Sequence, residues 1–244
     1  MAISYSQVTL RASRYDGKVP SEPAVPAAVR PPSPKRLPRA VREQQMLDSA
    51  VGVFSEYGFH HASMDHIAAR AGISKPMVYA YFGSKEELFV ACVHREGTRL
   101  MEALINAVGP DLPPDEQLWR GLRAFFAFVA AHREAWSVLY RQARGQEPFA
   151  AEVTQMRTRM VDVVASLLAR VIAAGGRRYR TEDVTSMAYA LVGAGESLAD
   201  WVVDHAEESS DETANRLMNF VWLGAGELLR GATWRSRTAT GSAG

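Results

Sequence analysis

The chain has 244 residues, 47% hydrophobic and 23% charged, enough for a sizeable core in one large domain or two modest ones. Its net charge is only +1, which as a whole-chain value predicts no polyanion partner, but the charge is unevenly placed. Residues 1–85 hold 11 Lys and Arg against 6 Asp and Glu, a balance of +5, and the remainder is at −4, so the N-terminal third is predicted to be a separate polyanion-binding end.

Residues 1–37 read as a disordered arm, because the repeated prolines of KVPSEPAVPAAVRPPSPKRLP remove backbone donors and block helix and sheet. Its end is basic, with Arg30, Lys35, Arg36, Arg39 and Arg42 leading into the first helix. Such an arm is either a solvated leader or a source of added phosphate and minor-groove contacts. From Pro38 to Tyr57 the apolar residues Leu47, Ala50, Val51, Phe54 and Tyr57 recur at three- and four-residue steps, which predicts a helix closed by Gly58. Ser63 caps a short helix whose inner face is Ile67, Ala68 and Ala71, and Gly72 stops it. Ser74 caps the next, with Pro76 in its first turn, and it runs only to Phe82. Ser84-Lys85-Glu86-Glu87 is a capping box, so a new helix starts there and continues to about Ala107.

The rest reads as helix after helix. Pro113-Pro114-Asp115 opens one to about Ala131, and a shorter piece spans Glu134 to Arg144. Pro148 precedes a long helix to Ala174, Thr181 starts another to His205, and Ser210 starts the last, to Arg230. No alternating strand pattern of useful length and no fixed repeat occurs, so the predicted fold is all-α. The expected organisation is the arm at 1–37, a three-helix helix-turn-helix domain at 38–99, a larger helical domain at 100–232, and a flexible tail at 233–244.

The two short helices joined by AGIS match a helix-turn-helix, whose second helix enters the major groove. Ile73, Val78 and Phe82 are spaced to face inward, leaving Lys75, Met77, Tyr79 and Tyr81 outward or on the flank. Lys75 offers charge to phosphate or guanine, and Pro76 and Met77 suit a thymine methyl. The capped start at Ser84 and the charge of Lys85 suit a backbone phosphate. With Arg42, Ser63, Met64, Ser74 and the tyrosines, these residues form the expected DNA-binding set.

The stretch FSEYGFHHASMDHIAARAGISKPMVYAYFGSKEELF resembles the DNA-binding region of TetR-family transcriptional regulators. The family's elements fall on Phe54, Gly58, Ser63, Ile67, Ala68, Ala71 to Ser74, Tyr79, Tyr81, Phe82 and Ser84 to Leu88, and the likeness covers roughly residues 39–99. It implies a homodimer whose recognition helices, Ser74 to Tyr81, read a near-palindromic operator on double-stranded DNA, usually as a ligand-released repressor. It also implies that Tyr79 and Lys85 contact phosphate, while Lys75, Pro76 and Met77 read bases. Pro76-Met77 departs from the small residues that many members carry there, so no operator sequence transfers.

The resemblance further implies a helical body that binds ligand and dimerises. Trp119, Phe125, Phe126, Trp136, Tyr140, Met156, Met160 and Tyr189 are candidates for a broad apolar pocket taking a small apolar ligand, or for plain core. LVGAGESLADW and VWLGAGELLRG repeat a small-residue cluster on the last two helices. Glycine within a helix costs about 1 kcal/mol against alanine, so Gly193, Gly195, Gly224 and Gly226 want a reason. With Trp201 and Trp222 they suit a two-fold four-helix interface between two chains, or close packing inside one.

Little points to other chemistry. His60, His61 and His66 lack the spacing of a shared metal site, and Cys92, the sole cysteine, has no recognisable relation to a histidine and an acid. A lone cysteine excludes an intrachain disulfide and fits a reducing compartment. No phosphate-cradling glycine loop, nucleophile elbow, secretory signal or membrane span is evident, so the expectation is a cytoplasmic non-enzyme without metal or cofactor. The rival reading is a helical binding module or enzyme with a vestigial helix-turn-helix.

Overall fold

Local capping chemistry sets several of the helix boundaries in this protein. The structure, a computed structural model, describes residues 37–145, 149–174, 176 and 179–229, with side chains of the last helix described to Gly224. The arm as far as residue 36, the tail, Pro148 and Arg230 lie outside the described residues. Every regular element among those described is helical. In order these are α1 Arg39–His61, α2 Met64–Ala71, α3 Lys75–Phe82, α4 Lys85–Ala107, α5 Pro114–Ala131 and α6 Arg133–Trp136. A π turn at Ser137–Gln142 and a 3₁₀ turn at Ala143–Gly145 follow, then α7 Phe149–Ala174, α8 Thr181–Asp204 and α9 Ser210–Leu229.

Ser63 Oγ accepts from the His66 N–H at 3.2 Å and Ser84 Oγ from the Glu87 N–H at 3.0 Å, so both hydroxyls satisfy donors that a helix start leaves free. Ser74 differs: its hydroxyl makes no cap bond, and its carbonyl alone starts α3. Gly72 takes the left-handed conformation (φ 66°, ψ 33°) that closes α2 and lets α3 leave at a sharp angle. In α1 the helical course breaks at Gly58 (φ 73°, ψ 160°), a region occupied almost exclusively by glycine. The chain then makes one more turn, which drives Phe59 into the core.

The described residues from Pro38 onward form one compact unit with two main apolar cores. The first joins α1, α2, α3 and the start of α4, and takes in Leu139 and Phe149 from further along the chain. Phe54, Phe59, Phe89 and Phe149 pack there edge-to-face or tilted, with ring centroids 4.5 to 6.1 Å apart. Each such pair contributes about 0.5–1.5 kcal/mol beyond its burial. Cys92 belongs to this core, where desolvation pushes its thiol far above the ordinary range, so it packs as an inert apolar side chain.

The second core joins α5, α7, α8 and α9. Arg123 fastens α5 to α9 through both oxygens of Asp211, at 3.0 and 2.9 Å. The boundary expected near residue 99 falls inside α4, because that helix serves both regions. Leu88 to Val93 sit in the first core, and Leu100 and Leu104 pack with Phe128 and Met160.

Candidate nucleic-acid interface and cavity

Buried Val78 and Phe82 fasten α3 to the first core and leave Ser74, Lys75, Pro76, Tyr79 and Ala80 exposed. Lys75 Nζ meets Asp65 Oδ2 at 2.8 Å, an exposed pair that ties α3 to α2 and raises the lysine pKa, first through that hydrogen bond and then through the charge of Asp65. In the absence of DNA this cation therefore has an acidic partner within its own motif. Met77 and Tyr81 are half-buried against the core. Arg42 Nη1 lies 3.6 Å from the Met77 sulfur, and the Arg39 guanidinium sits 5.0 Å above the Tyr81 ring. The start of α1 thus buttresses the flank of α3 and brings two arginines to its edge. Ala80 went unnoticed in the sequence, where its position on the exposed face was masked by the tyrosines around it.

Two residues of the expected DNA-binding set are placed otherwise. Met64 is only 5% exposed and packs in the first core, because the first position of α2 turns inward from its cap. Lys85 is half-buried, and its Nζ donates to the carbonyls of Phe59 at 2.8 Å, Ala62 at 3.1 Å and His60 at 3.4 Å. It caps the C-terminus of α1, where a cation is favoured by the helix dipole, and lies 4.5 Å from the Phe59 ring centroid. Lys85→Ala is therefore expected to lower stability by about 1–2 kcal/mol. A pure phosphate contact would instead reduce the salt slope of DNA binding by about 0.9. Thermal melting together with a salt titration of DNA affinity separates the two.

In the body, α4, α5, α7 and α8 line a cavity of about 630 Å³, within the usual range for small-molecule sites and open to solvent beside exposed Ile105 and Val163. Five of the eight expected pocket residues line it: Phe125, Trp136, Tyr140, Met156 and Met160. Phe126 is fully buried in the core, one helical position round from Phe125, and Trp119 packs beside Arg123. Tyr189 is exposed on α8 beneath the Arg157 guanidinium, outside the lining. The aliphatic wall of Leu100, Leu104, Leu118 and Leu122 was missed, although the i, i+4 steps of Leu100–Leu104 and Leu118–Leu122 are visible in sequence.

The floor is stiffened by polar bonds. Trp136 and Tyr140 stack at 4.3 Å, and the indole N–H donates to Asp200 at 3.0 Å. Arg157 and Glu196 also reach the lining and bond to each other at 2.9 Å.

The glycine clusters divide. A side chain at Gly195 would lie 3.8 Å from Phe125, and one at Gly193 would lie 3.9 Å from the Arg157 guanidinium, both ordinary contacts within the chain. Trp201 likewise packs into the second core. Gly224 faces open space, beside exposed Phe220, Trp222 and Leu223 on α9. Gly226 lies on α9 beyond the described side chains.

A helix-turn-helix with a bare outer face, held by a helical body, defines a DNA-binding protein of the helix-turn-helix class. Residues 46–92 match the family model "Bacterial regulatory proteins, tetR family", and residues 114–224 match "Tetracyclin repressor-like, C-terminal domain". The HTH-type transcriptional activator FasR of Mycolicibacterium smegmatis is 30% identical over 190 residues, covering 78% of this chain and 85% of that protein. A TetR-like transcriptional regulator from Rhodococcus sp. RHA1 is 50% identical, with a TM-score of 0.69 over 78% of this chain and 99% of that one. FadR from Bacillus subtilis, solved with stearoyl-CoA, is 18% identical with a TM-score of 0.63, covering 73% of this chain and 96% of that one; it speaks for the fold alone. The chain belongs to the TetR family and is a DNA-binding transcriptional regulator. Its relatives are transcriptional regulators too, and no helix of the described residues is long and apolar enough to cross a membrane.

Proposed function

We propose that this protein is a ligand-released regulator, in the first instance a repressor, that binds a near-palindromic operator as a homodimer. The observation that carries the reading is that the same two helices build the DNA-binding core and the cavity wall. On α4, Leu88, Phe89 and Cys92 hold the helix-turn-helix, and Leu100 and Leu104 line the cavity. On α7, Phe149 and Val153 pack under the helix-turn-helix, and Met156 and Met160 line the cavity. The π turn is likewise two-sided: Tyr140 lines the cavity, whereas Val138 and Leu139 join the first core and Gln142 donates to the Phe54 carbonyl of α1 at 2.6 Å. Turns of this kind often sit at functional sites. A ligand that fits only one arrangement of these elements shifts the population toward it, and with it the spacing of the two recognition helices. The bases are then read from Ser74, Lys75, Pro76, Tyr79 and Ala80, with Met77 and Tyr81 setting the pose. Whether release raises or lowers transcription depends on where the operator lies, and the M. smegmatis relative is named an activator.

The test is selection of genomic fragments by the purified protein at near-physiological salt. A palindrome is expected, with half-sites one or more helical turns of about 10 base pairs apart. Gly121 faces the cavity, with only Val108 near the place of a side chain, so Gly121→Phe mimics a bound ligand. That variant should bind the selected operator about tenfold more weakly with an unchanged circular dichroism spectrum, a loss equal to about 1.4 kcal/mol. Recovery of random fragments, or full affinity in Gly121→Phe, overturns the reading.

A further inference from the structure

Two arginines reach the cavity lining, and only one of them is built into the interior. Arg170 is exposed, and its Nη2 bonds to Gln117 Oε1. That glutamine is itself fixed by the Pro110 and Leu112 carbonyls at 3.2 and 2.7 Å. Arg157 is different: its side chain is 26% exposed, its Nε donates to Glu196 Oε1 at 2.9 Å, and its guanidinium carbon lies 5.3 Å from the Tyr189 ring centroid. These two contacts fix the plane of the group but use neither terminal nitrogen. Among the described residues, Nη1 and Nη2 have no hydrogen-bond acceptor. A guanidinium held in this way, with its Nη edge unpartnered in a mainly apolar cavity whose lining also carries the carboxylates of Glu196 and Asp162, is shaped for a planar anion.

We propose that the Nη edge of Arg157 is the headgroup site of the cavity, and that the effector is an apolar-chained carboxylic acid bound as its carboxylate. The inference rests on the reading of the cavity as the effector site. A planar monoanion matches two parallel N–H donors, whereas a dianionic phosphate would bring twice the charge toward Glu196. Methionine and aliphatic walls from α4 and α7 suit the chain of such a molecule, because they adapt to its shape.

Glu196 makes the site selective by pH. Its carboxyl is pushed up to about 7, by burial first and by Asp200 second. The groups facing it are Arg157 of α7, Arg144 of the 3₁₀ turn at 3.8 Å, and Asp200 of its own helix, which is in turn bonded by Arg141. Tyr140 lies beneath Arg144 with its centroid 5.2 Å from the guanidinium. When a second carboxylate reaches Arg157, Glu196 is relieved by taking a proton from solvent. Binding of the anion is therefore strongest below the Glu196 pKa and weakens as pH rises through it.

The experiment is calorimetric titration of the full chain with dodecanoate and with 1-dodecanol, two probes of one chain length that differ in the headgroup. At pH 6.5 dodecanoate should bind at least tenfold more tightly than the alcohol, and its advantage should shrink by pH 8. Arg157→Gln leaves Glu196 with only Arg144, at 3.8 Å, so the double variant Arg157→Gln with Glu196→Gln is measured beside it; both should lose the preference for the acid. Glu196→Gln alone should keep the preference and lose its pH dependence. Equal binding of the two probes by the wild type, or a preference that survives both Arg157 variants, overturns the headgroup site and leaves the cavity reading standing. Binding of neither probe overturns both.

Discussion

Glu96→Ala is expected to lower the stability of the protein by about 3 kcal/mol, the cost of removing one member of a buried ion network. Glu96 lies on α4 and is 1% exposed. Its Oε1 accepts from Arg95 Nε at 2.7 Å and Nη2 at 2.5 Å, and from Arg99 Nη1 at 3.2 Å. Arg95 then crosses to α1, where Nη1 meets Asp48 at 2.7 Å and the Gln44 carbonyl at 3.2 Å. Removing the carboxylate leaves the nearly buried Arg95 with Asp48 alone to balance it. For a chain of this size each kcal/mol lowers the melting temperature by about 2–4 °C, so a fall of about 6–12 °C by circular dichroism is expected. A shift under about 2 °C would mean that solvent already screens the network, as it does for surface pairs.

The place of this network gives the substitution a second consequence. It pins the start of α1 to the point on α4 where the helix passes from the first core, ending at Val93, to the cavity wall, beginning at Leu100. Glu96 Oε2, Tyr140 Oη and Gln142 Oε1 are all enclosed, with no hydrogen-bond partner among the described residues. All three belong to elements that join the two regions. The junction between the first core and the cavity wall therefore runs through the elements that this network ties together. Loosening it at Glu96 should therefore also shrink the difference in operator affinity between wild type and Gly121→Phe.

Helix boundaries were legible because they follow from local chemistry. Ser63, Gly72, Ser84 and Pro114 act through atoms within five residues, and α2, α4 and α5 begin, and α2 ends, where those signals place them. The inward set Val78 and Phe82 was legible for the same reason, since helical period alone separates it from Lys75 and Tyr79. What escaped the sequence depends on distant chain. The carbonyls that hold Lys85 come from a helix end more than twenty residues earlier, and no local pattern announces that meeting. Phe125 and Phe126 are adjacent and equally apolar, and only the positions of α4 and α7 decide that the first lines the cavity. Gly193 and Gly195 have Arg157 and Phe125 of the same chain at ordinary contact distance, an approach that no local pattern announces.

In the proposed homodimer the exposed apolar side chains of α9 are the face on which the largest effect on DNA binding is expected. Phe220 is 78% exposed, Leu223 is 71% exposed and Trp222 is 44% exposed, while Gly224 beside them leaves room for close approach. Fully burying one such side chain contributes about 1.5–3 kcal/mol, and in a two-fold interface each residue counts twice. Phe220→Glu with Leu223→Glu replaces that gain with four carboxylates across one axis. The double variant should sediment as a monomer at micromolar concentration and keep the helical content of the wild type.

Its affinity for a single half-site should be unchanged, because α3 lies in the other core. Its affinity for the full palindrome should fall by about 10²–10⁴-fold, the avidity that tethering two recognition helices provides. Sedimentation and fluorescence anisotropy on full and half operators read both quantities. A variant that remains dimeric with operator affinity within threefold of wild type would take the interface away from this face of α9. It would also remove the geometric basis on which a change at the cavity reaches two successive major grooves.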